Sequence, residues 1–265
     1  MFYNSREDKI QLDHTSMNYV VFGKGKKNLV IVPGLNFTGV KGHHIDLAFM
    51  HSLYTKEYRV YLFDPIQPMP STYSIEQMAN DLAKALVKLQ ISSTDVIGIS
   101  MGGMIAQYVA LNHPYLVHKL VLVVTLSRKN PTIEANINHW INLAEEGDYK
   151  TLLKDSFEKN YSEEYVKKYK WLLPFLASTM KRISMNRFIK HAKACLTCNT
   201  YERLQEIKCP VYVIGGMKDQ VVTYEGTKEI SDLLQCESYY YAQYGHSLYE
   251  EAKDYHKKVL EFLRK

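Results

Sequence analysis

The stretch from residue 95 to residue 125 leaves the chain few folding options. Residues 95–99 are a short apolar run that ends directly on Ser100, residues 101–112 follow a helical pattern that closes at Pro114, and residues 119–125 are apolar again. A strand with apolar side chains on both faces has no solvent side, so it belongs in a sheet that carries helices above and below. The same switch of hydrophobic period recurs along the chain. Residues 17–22 alternate and end in Gly23 and Gly25, and residues 28–32 are an apolar run stopped by Pro33 and Gly34, which reads as an edge hairpin leading into a central strand. Residues 58–63 form the next strand. From Ser74 a helix presents Ile75, Met78, Ala79, Leu82, Ala85, Leu86 and Leu89 on one face, and Ser74 with Gln77 has the spacing of a capping box. After Pro210 come a strand at 211–215, a helix at 224–234, a strand at 238–242 and a closing helix at 250–263. The order predicts an α/β fold, a mostly parallel central sheet with helices on both faces.

The alternation is interrupted once. Residues 128–203 carry helical patterns at 139–146, 150–158, 163–176 and 179–196 and no strand of comparable quality. A chain of 265 residues therefore divides as a core in two parts, 1–127 and 204–265, with a helical cap inserted at 128–203. The cap is basic. Residues 150–193 hold nine lysines and two arginines against four acids, a net +7 where the whole chain carries +5. Such a lid would attract an anionic acyl substrate, and solvated faces of amphipathic helices account for the same charge.

Composition narrows the function classes. With 46% hydrophobic and 23% charged residues the chain is a packed globule, and its positive excess is too thin and dispersed for a nucleic-acid stripe, so the expected partner is a small molecule. No apolar run approaches the roughly 18–20 residues of a bilayer-spanning helix, and the first residues lack the apolar run of a secretory signal. The expectation is a cytoplasmic protein without a membrane partner. Four cysteines then read as reduced thiols. Cys195 and Cys198 form a C-x-x-C with no second pair at metal spacing, which favours packing over zinc. His43 and His44 are adjacent, cannot both face one site, and read as solvated surface.

Chemistry concentrates in Gly98-Ile99-Ser100-Met101-Gly102, a G-x-S-x-G at the junction of a strand and a helix. On so tight a turn the serine hydroxyl is pushed out at the carboxyl end of the sheet, and the glycines let strand and helix approach closely. A serine hydroxyl is a weak nucleophile unless a base removes its proton, which requires a histidine and an acid to orient it. Asp219 follows the strand at 211–215 and His246 follows the strand at 238–242, both at the same sheet edge as Ser100. They are the expected acid and base.

With these residues in view, the chain resembles the α/β-hydrolase superfamily, specifically serine hydrolases with a helical cap, over almost its whole length. The resemblance rests on the chain order Ser100, Asp219, His246, on Ala110-Leu111-Asn112-His113-Pro114 before the next strand, and on Gly216-x-x-Asp219-x-x-Val222 and Gly245-His246. It implies an oxyanion hole built from the backbone N–H groups of Leu35 and Met101. Two departures stand out: Pro33 replaces the family's frequent histidine before that donor, and Pro65, Pro68 and Pro70 stand in a loop that relatives make rich in glycine. The implied activity is cofactor-independent and metal-independent hydrolysis of a carboxylic ester or related acyl bond. By size and apolarity Trp140, Trp171 and Phe175 are the expected pocket walls, and burial against the core would use the same side chains. Ser100, Asp219 and His246 could instead serve a thioester, a lactone, an amino-terminal peptide bond or a carbon–carbon bond. A non-catalytic ligand-binding protein of the same fold is the alternative of a different class.

Overall fold

A computed structural model describes residues 2–180 and 185–265. The strands are β1 (Arg6–Leu12), β2 (Thr15–Phe22), β3 (Lys27–Val32), β4 (Tyr58–Phe63), β5 (Thr94–Ile99), β6 (Val117–Val123), β7 (Val211–Gly216) and β8 (Glu237–Tyr241). They form one sheet in the order β1-β2-β4-β3-β5-β6-β7-β8. β1–β2 and β2–β4 are antiparallel, and every later pairing is parallel. The helices are α1 (His44–Met50), α2 (Ile75–Lys88), α3 (Met101–Asn112), α4 (Pro131–Glu146), α5 (Tyr149–Asn160), α6 (Glu163–Tyr169), α7 (Leu173–Met180), α8 (Asn186–Cys195), α9 (Tyr224–Leu234), α10 (Leu248–Glu251) and α11 (Tyr255–Arg264).

Strand periodicity sorts the core into two layers. Val30 and Val32 join the buried cluster formed with α2, α3, α9 and the helices between β6 and β7. Leu29 and Ile31, one residue out of phase, join the cluster formed with α1, α10 and α11. The sheet is thus covered on both faces, as apolar central strands require. The capping box at the start of α2 is present, Ser74 accepting from the Gln77 N–H and Gln77 from the Ser74 N–H.

Some elements differ from the sequence expectation. The edge hairpin is β1–β2, turning at Asp13 with φ 43°, and not a pairing of residues 17–22 with 28–32. β1 is almost wholly exposed and buries only Ile10 and Leu12, too little apolar signal for a pattern to register. β4 lies between β2 and β3 because the linker through Gly23 and Gly25 runs against the backbone of residues 55–58, where a side chain at Gly25 would overlap Glu57. The helix expected at 163–176 breaks into α6, a 3-10 turn at Lys170–Leu172, and α7. The closing helix splits into α10 and α11. α4 starts eight residues earlier than its apolar pattern, because Asn130 caps it by accepting from the Ile133 N–H and Pro131 fits its first turn. α8 covers most of the helix expected at 179–196, and residues 181–184 of that segment lie outside the described residues.

Helices α4 to α8 all fall between β6 and β7. The chain leaves and returns side by side: Arg128 and Asn199 form an isolated antiparallel bridge, and the Thr200 N–H donates to the Ser127 carbonyl at 2.7 Å. No helix among the described residues is long and apolar enough to cross a membrane.

Candidate active site

Parallel register aligns the carboxyl ends of the central strands, Ile99 beside Val123 and Gly216 beside Tyr241. Loops leaving that edge therefore converge. Ser100 stands between β5 and α3 with φ 53° and ψ −120°, a conformation costing an L-residue on the order of 1–3 kcal/mol. The surroundings enforce it. A side chain at Gly98 would come within 2.6 Å of the backbone of Gly102 and Gly103, and one at Gly102 would overlap the Val32 carbonyl. The Ser100 N–H donates to the Val123 carbonyl at 2.9 Å, and Thr125 Oγ1 donates to the Ser100 carbonyl at 2.8 Å.

The three residues expected to act together are in contact. His246 Nδ1 lies 2.8 Å from Asp219 Oδ2, and His246 Nε2 lies 2.9 Å from Ser100 Oγ. Because an ionised carboxylate only accepts, the network assigns the imidazole proton to Nδ1 and leaves Nε2 to accept from the serine hydroxyl. Asp219 is held in turn by its other oxygen, which accepts from the N–H groups of Val221 at 2.7 Å and Val222 at 3.1 Å. Asp219 and His246 are both buried. Their loops are stitched together, the Lys218 N–H donating to the Tyr244 carbonyl at 3.1 Å and the Ser247 N–H to the Asn160 carbonyl of α5 at 2.8 Å.

Gly34 lies against Ser100, where a β-carbon would sit 3.2 Å from the serine Cβ, and Leu35 follows it at the cavity wall. Met101 opens α3, so its N–H is among the unpaired donors of a helix start. Sequence reasoning missed a side chain that fixes the first of these donors. Asn36 Nδ2 donates to the Gly34 carbonyl at 2.9 Å, and that carbonyl belongs to the same planar peptide as the Leu35 N–H. From α8, Arg187 reaches Asn36 Oδ1 at 3.4 Å and pairs with the buried Asp64 at 3.1 Å. Asp64 also accepts from the Val40 N–H at 2.9 Å. No motif joins residues 36, 64 and 187, so only the fold could bring them together.

A cavity of about 550 Å³ opens beside Ser100 and His246, with Leu35, Ile137, Trp140, Leu153 and Phe188 among its walls. Trp140 is buried there and its indole N–H donates to Asp155 at 2.6 Å. Trp171 and Phe175 depart from expectation: they do not line the cavity, and their neighbours Leu173 and Leu176 do. Both aromatic side chains are exposed, Trp171 in the 3-10 turn at Lys170–Leu172 and Phe175 on α7. Near the base, Tyr161 Oη donates to Glu250 at 2.6 Å, and desolvation, followed by the neighbouring Glu251, pushes the Glu250 carboxyl above its usual range.

Two buried histidines lie outside this chemistry. His191, one helical turn from Arg187, has no hydrogen-bond partner at either ring nitrogen among the described residues, and burial followed by the Arg187 charge lowers its pKa to about 3. His51 packs edge-on against His256, and burial followed by that ring lowers it to about 3. Cys195 and Cys198 are also buried, with both thiols pushed up by desolvation, Cys195 to about 12.

A doubly covered parallel sheet with a strained serine between strand and helix, and a histidine and an aspartate on the next loops of the same edge, defines a class of α/β protein built around a nucleophile elbow. The family model described as alpha/beta hydrolase fold matches residues 27–253, and the chain belongs to that family. YugF of Bacillus subtilis, an uncharacterised hydrolase, is 31% identical over 193 residues, 68% of each chain. An α/β-hydrolase enzyme from a Medee basin deep-sea metagenome superposes with a TM-score of 0.86 at 20% identity, covering 97% of this chain and 98% of that one. The enol-lactonase of Burkholderia xenovorans LB400 gives 0.83 at 18% identity, covering 97% and 100%. The last two similarities establish the fold.

Proposed function

We propose that the protein is a serine hydrolase that cleaves a carboxylic ester or a closely related acyl bond through an acyl-enzyme. The observation that carries this reading is the continuous hydrogen-bonded line from Asp219 through His246 to Ser100 at the mouth of a largely apolar cavity. A protein that only bound a ligand would have no need to hold a serine in a costly conformation against a base.

His246 Nε2 takes the Ser100 proton as Oγ forms a bond to the acyl carbon, and the carbonyl electron pair moves onto oxygen. The N–H groups of Leu35 and Met101 receive that oxyanion, a contribution that in comparable sites is worth about 3–4 kcal/mol per donor. Asp219 keeps the imidazole in the required tautomer and stabilises the imidazolium. As the carbonyl re-forms, the bond to the leaving oxygen breaks and His246 Nε2–H protonates it. Water then repeats the sequence: it loses a proton to His246 and attacks the acyl carbon, Ser100 Oγ departs and regains its proton, and the acid is released. The division into a core of residues 1–127 and 204–265 with a cap at 128–203 belongs to this reading, because the cap helices supply much of the cavity wall. A lactone is an internal ester, so an activity like that named for the Burkholderia enol-lactonase falls within the same chemistry.

The test is intact mass after exposure to a fluorophosphonate. One adduct on the native chain, lost in Ser100→Ala and slowed in Asp219→Asn and His246→Ala, is the expected result. A folded native chain that stays unlabelled would refute the reading.

A further inference from the structure

Among the described residues, the three most exposed large apolar side chains are Phe49 and Trp171, each 72% open, and Phe175, 69% open. They are not scattered. Phe49 stands on α1 beside the exposed Ile45 and Met50, while Trp171 stands in the 3-10 turn at Lys170–Leu172 and Phe175 on the following α7 beside the exposed Leu176. Both segments border the same cavity, since Met50 from α1 and Leu176 from α7 also line it. Apolar side chains gathered at the rim of a cavity form a contact surface, unlike singly exposed residues, which need no explanation.

The charge next to this rim points to what covers it. Lys167, Lys168 and Lys170, all exposed, immediately precede Trp171. Aromatic and aliphatic tips flanked by lysines suit an interface with an apolar interior and anionic head groups, where rings sink to head-group level and ammonium groups stay among phosphates and carboxylates. A second copy of the chain fits less well, because a two-fold contact through this patch would set the lysines of one copy near those of the other.

We infer that the rim formed by α1, the turn at Lys170–Leu172 and α7 docks on an anionic lipid surface, so that the cavity opens onto the bilayer and an ester of a lipid enters toward Ser100. Docking stands on the exposed surface alone, and the entry of a lipid ester rests on the serine hydrolase reading. Such docking is peripheral, since no helix among the described residues is long and apolar enough to cross a membrane, and it departs from the expectation of no membrane partner only in that sense.

Trp171 is its own reporter, because the chain has two tryptophans and Trp140 is buried. Its emission is isolated as the difference between the native chain and Trp171→Phe. Vesicles of phosphatidylcholine containing phosphatidylserine should shift that emission to the blue and sediment the protein, with binding about a hundredfold weaker on phosphatidylcholine alone. Each of Lys167→Gln, Lys168→Gln and Lys170→Gln should weaken binding to the anionic vesicles by about fivefold, and Phe175→Ala by about tenfold. No blue shift on either vesicle overturns the proposal. So does a shift that follows protein concentration without vesicles, with a doubled mass by light scattering, which would make a second copy the occupant. Fluorophosphonate labelling in vesicle-free buffer separates the two readings: labelling without vesicle binding sinks the docking alone, and absence of labelling sinks the hydrolase reading whatever the vesicles show.

Discussion

Replacing His191 with methionine should make the protein more stable at neutral pH and less sensitive to acid. His191 is fully buried with a folded pKa of about 3, against about 6.5 in an unfolded chain. Its neutral form is the one the fold accepts. Stability from this group is therefore complete above about pH 6.5 and drains away as the pH falls toward 3, because only the unfolded state takes up the proton in that window. Integrating between pH 7 and pH 5 gives about 2 kcal/mol for one such histidine, and His51, shifted to the same value, doubles it to about 4 kcal/mol. That is a large share of the 5–15 kcal/mol typical of a folded domain. Methionine at 191 removes one proton site and two buried nitrogens that have no partner among the described residues, so stability at pH 7 should rise by about 1–3 kcal/mol. The loss between pH 7 and pH 5 should shrink by about 2 kcal/mol. Urea unfolding of the native and His191→Met chains at both pH values measures each quantity. An unchanged difference between pH 7 and pH 5 would refute the reasoning, since His191 would then be protonated alike in both states.

Other predictions bear on the site. Asp219→Asn leaves the packing in place but removes the group that fixes the His246 tautomer, and kcat on an activated ester should fall by about 10³- to 10⁴-fold while the melting temperature stays near native. Asn36→Ala frees the peptide that carries the Leu35 N–H; a fall in kcat of about tenfold with little change in KM is expected, and a change confined to KM would contradict the role given to that peptide. Gly102→Ala would drive a methyl group into the Val32 carbonyl, so the variant should lose about 4 kcal/mol or more or fail to accumulate as folded protein; a native-like melt would show that the elbow is looser than its geometry indicates.

Period and punctuation made much of this protein legible in its sequence. The central strands could be read because their side chains are apolar on both faces, and α2 because its cap and its stripe agree. Ser100, Asp219 and His246 could be nominated because parallel strands deliver their following loops to one edge, so three residues spread over 146 positions share an address that strand order alone supplies. β1 escaped because an exposed edge strand buries two side chains and shows no pattern. Trp171 and Phe175 are large and apolar enough to wall a pocket, but spacing along the chain does not say which way a side chain faces, and the fold leaves both exposed. Asn36, Asp64 and Arg187 could not be found at all, since a polar group in the chain reads the same whether it meets water or a partner across the fold. Local covalent preference and hydrophobic period therefore determined the central parallel strands, the elbow and the order of the three candidate residues. Tertiary structure alone decided how the Gly34–Leu35 peptide is held, which cap residues face inward and which apolar side chains are left at the rim, because those depend on distances between elements that no short-range pattern encodes.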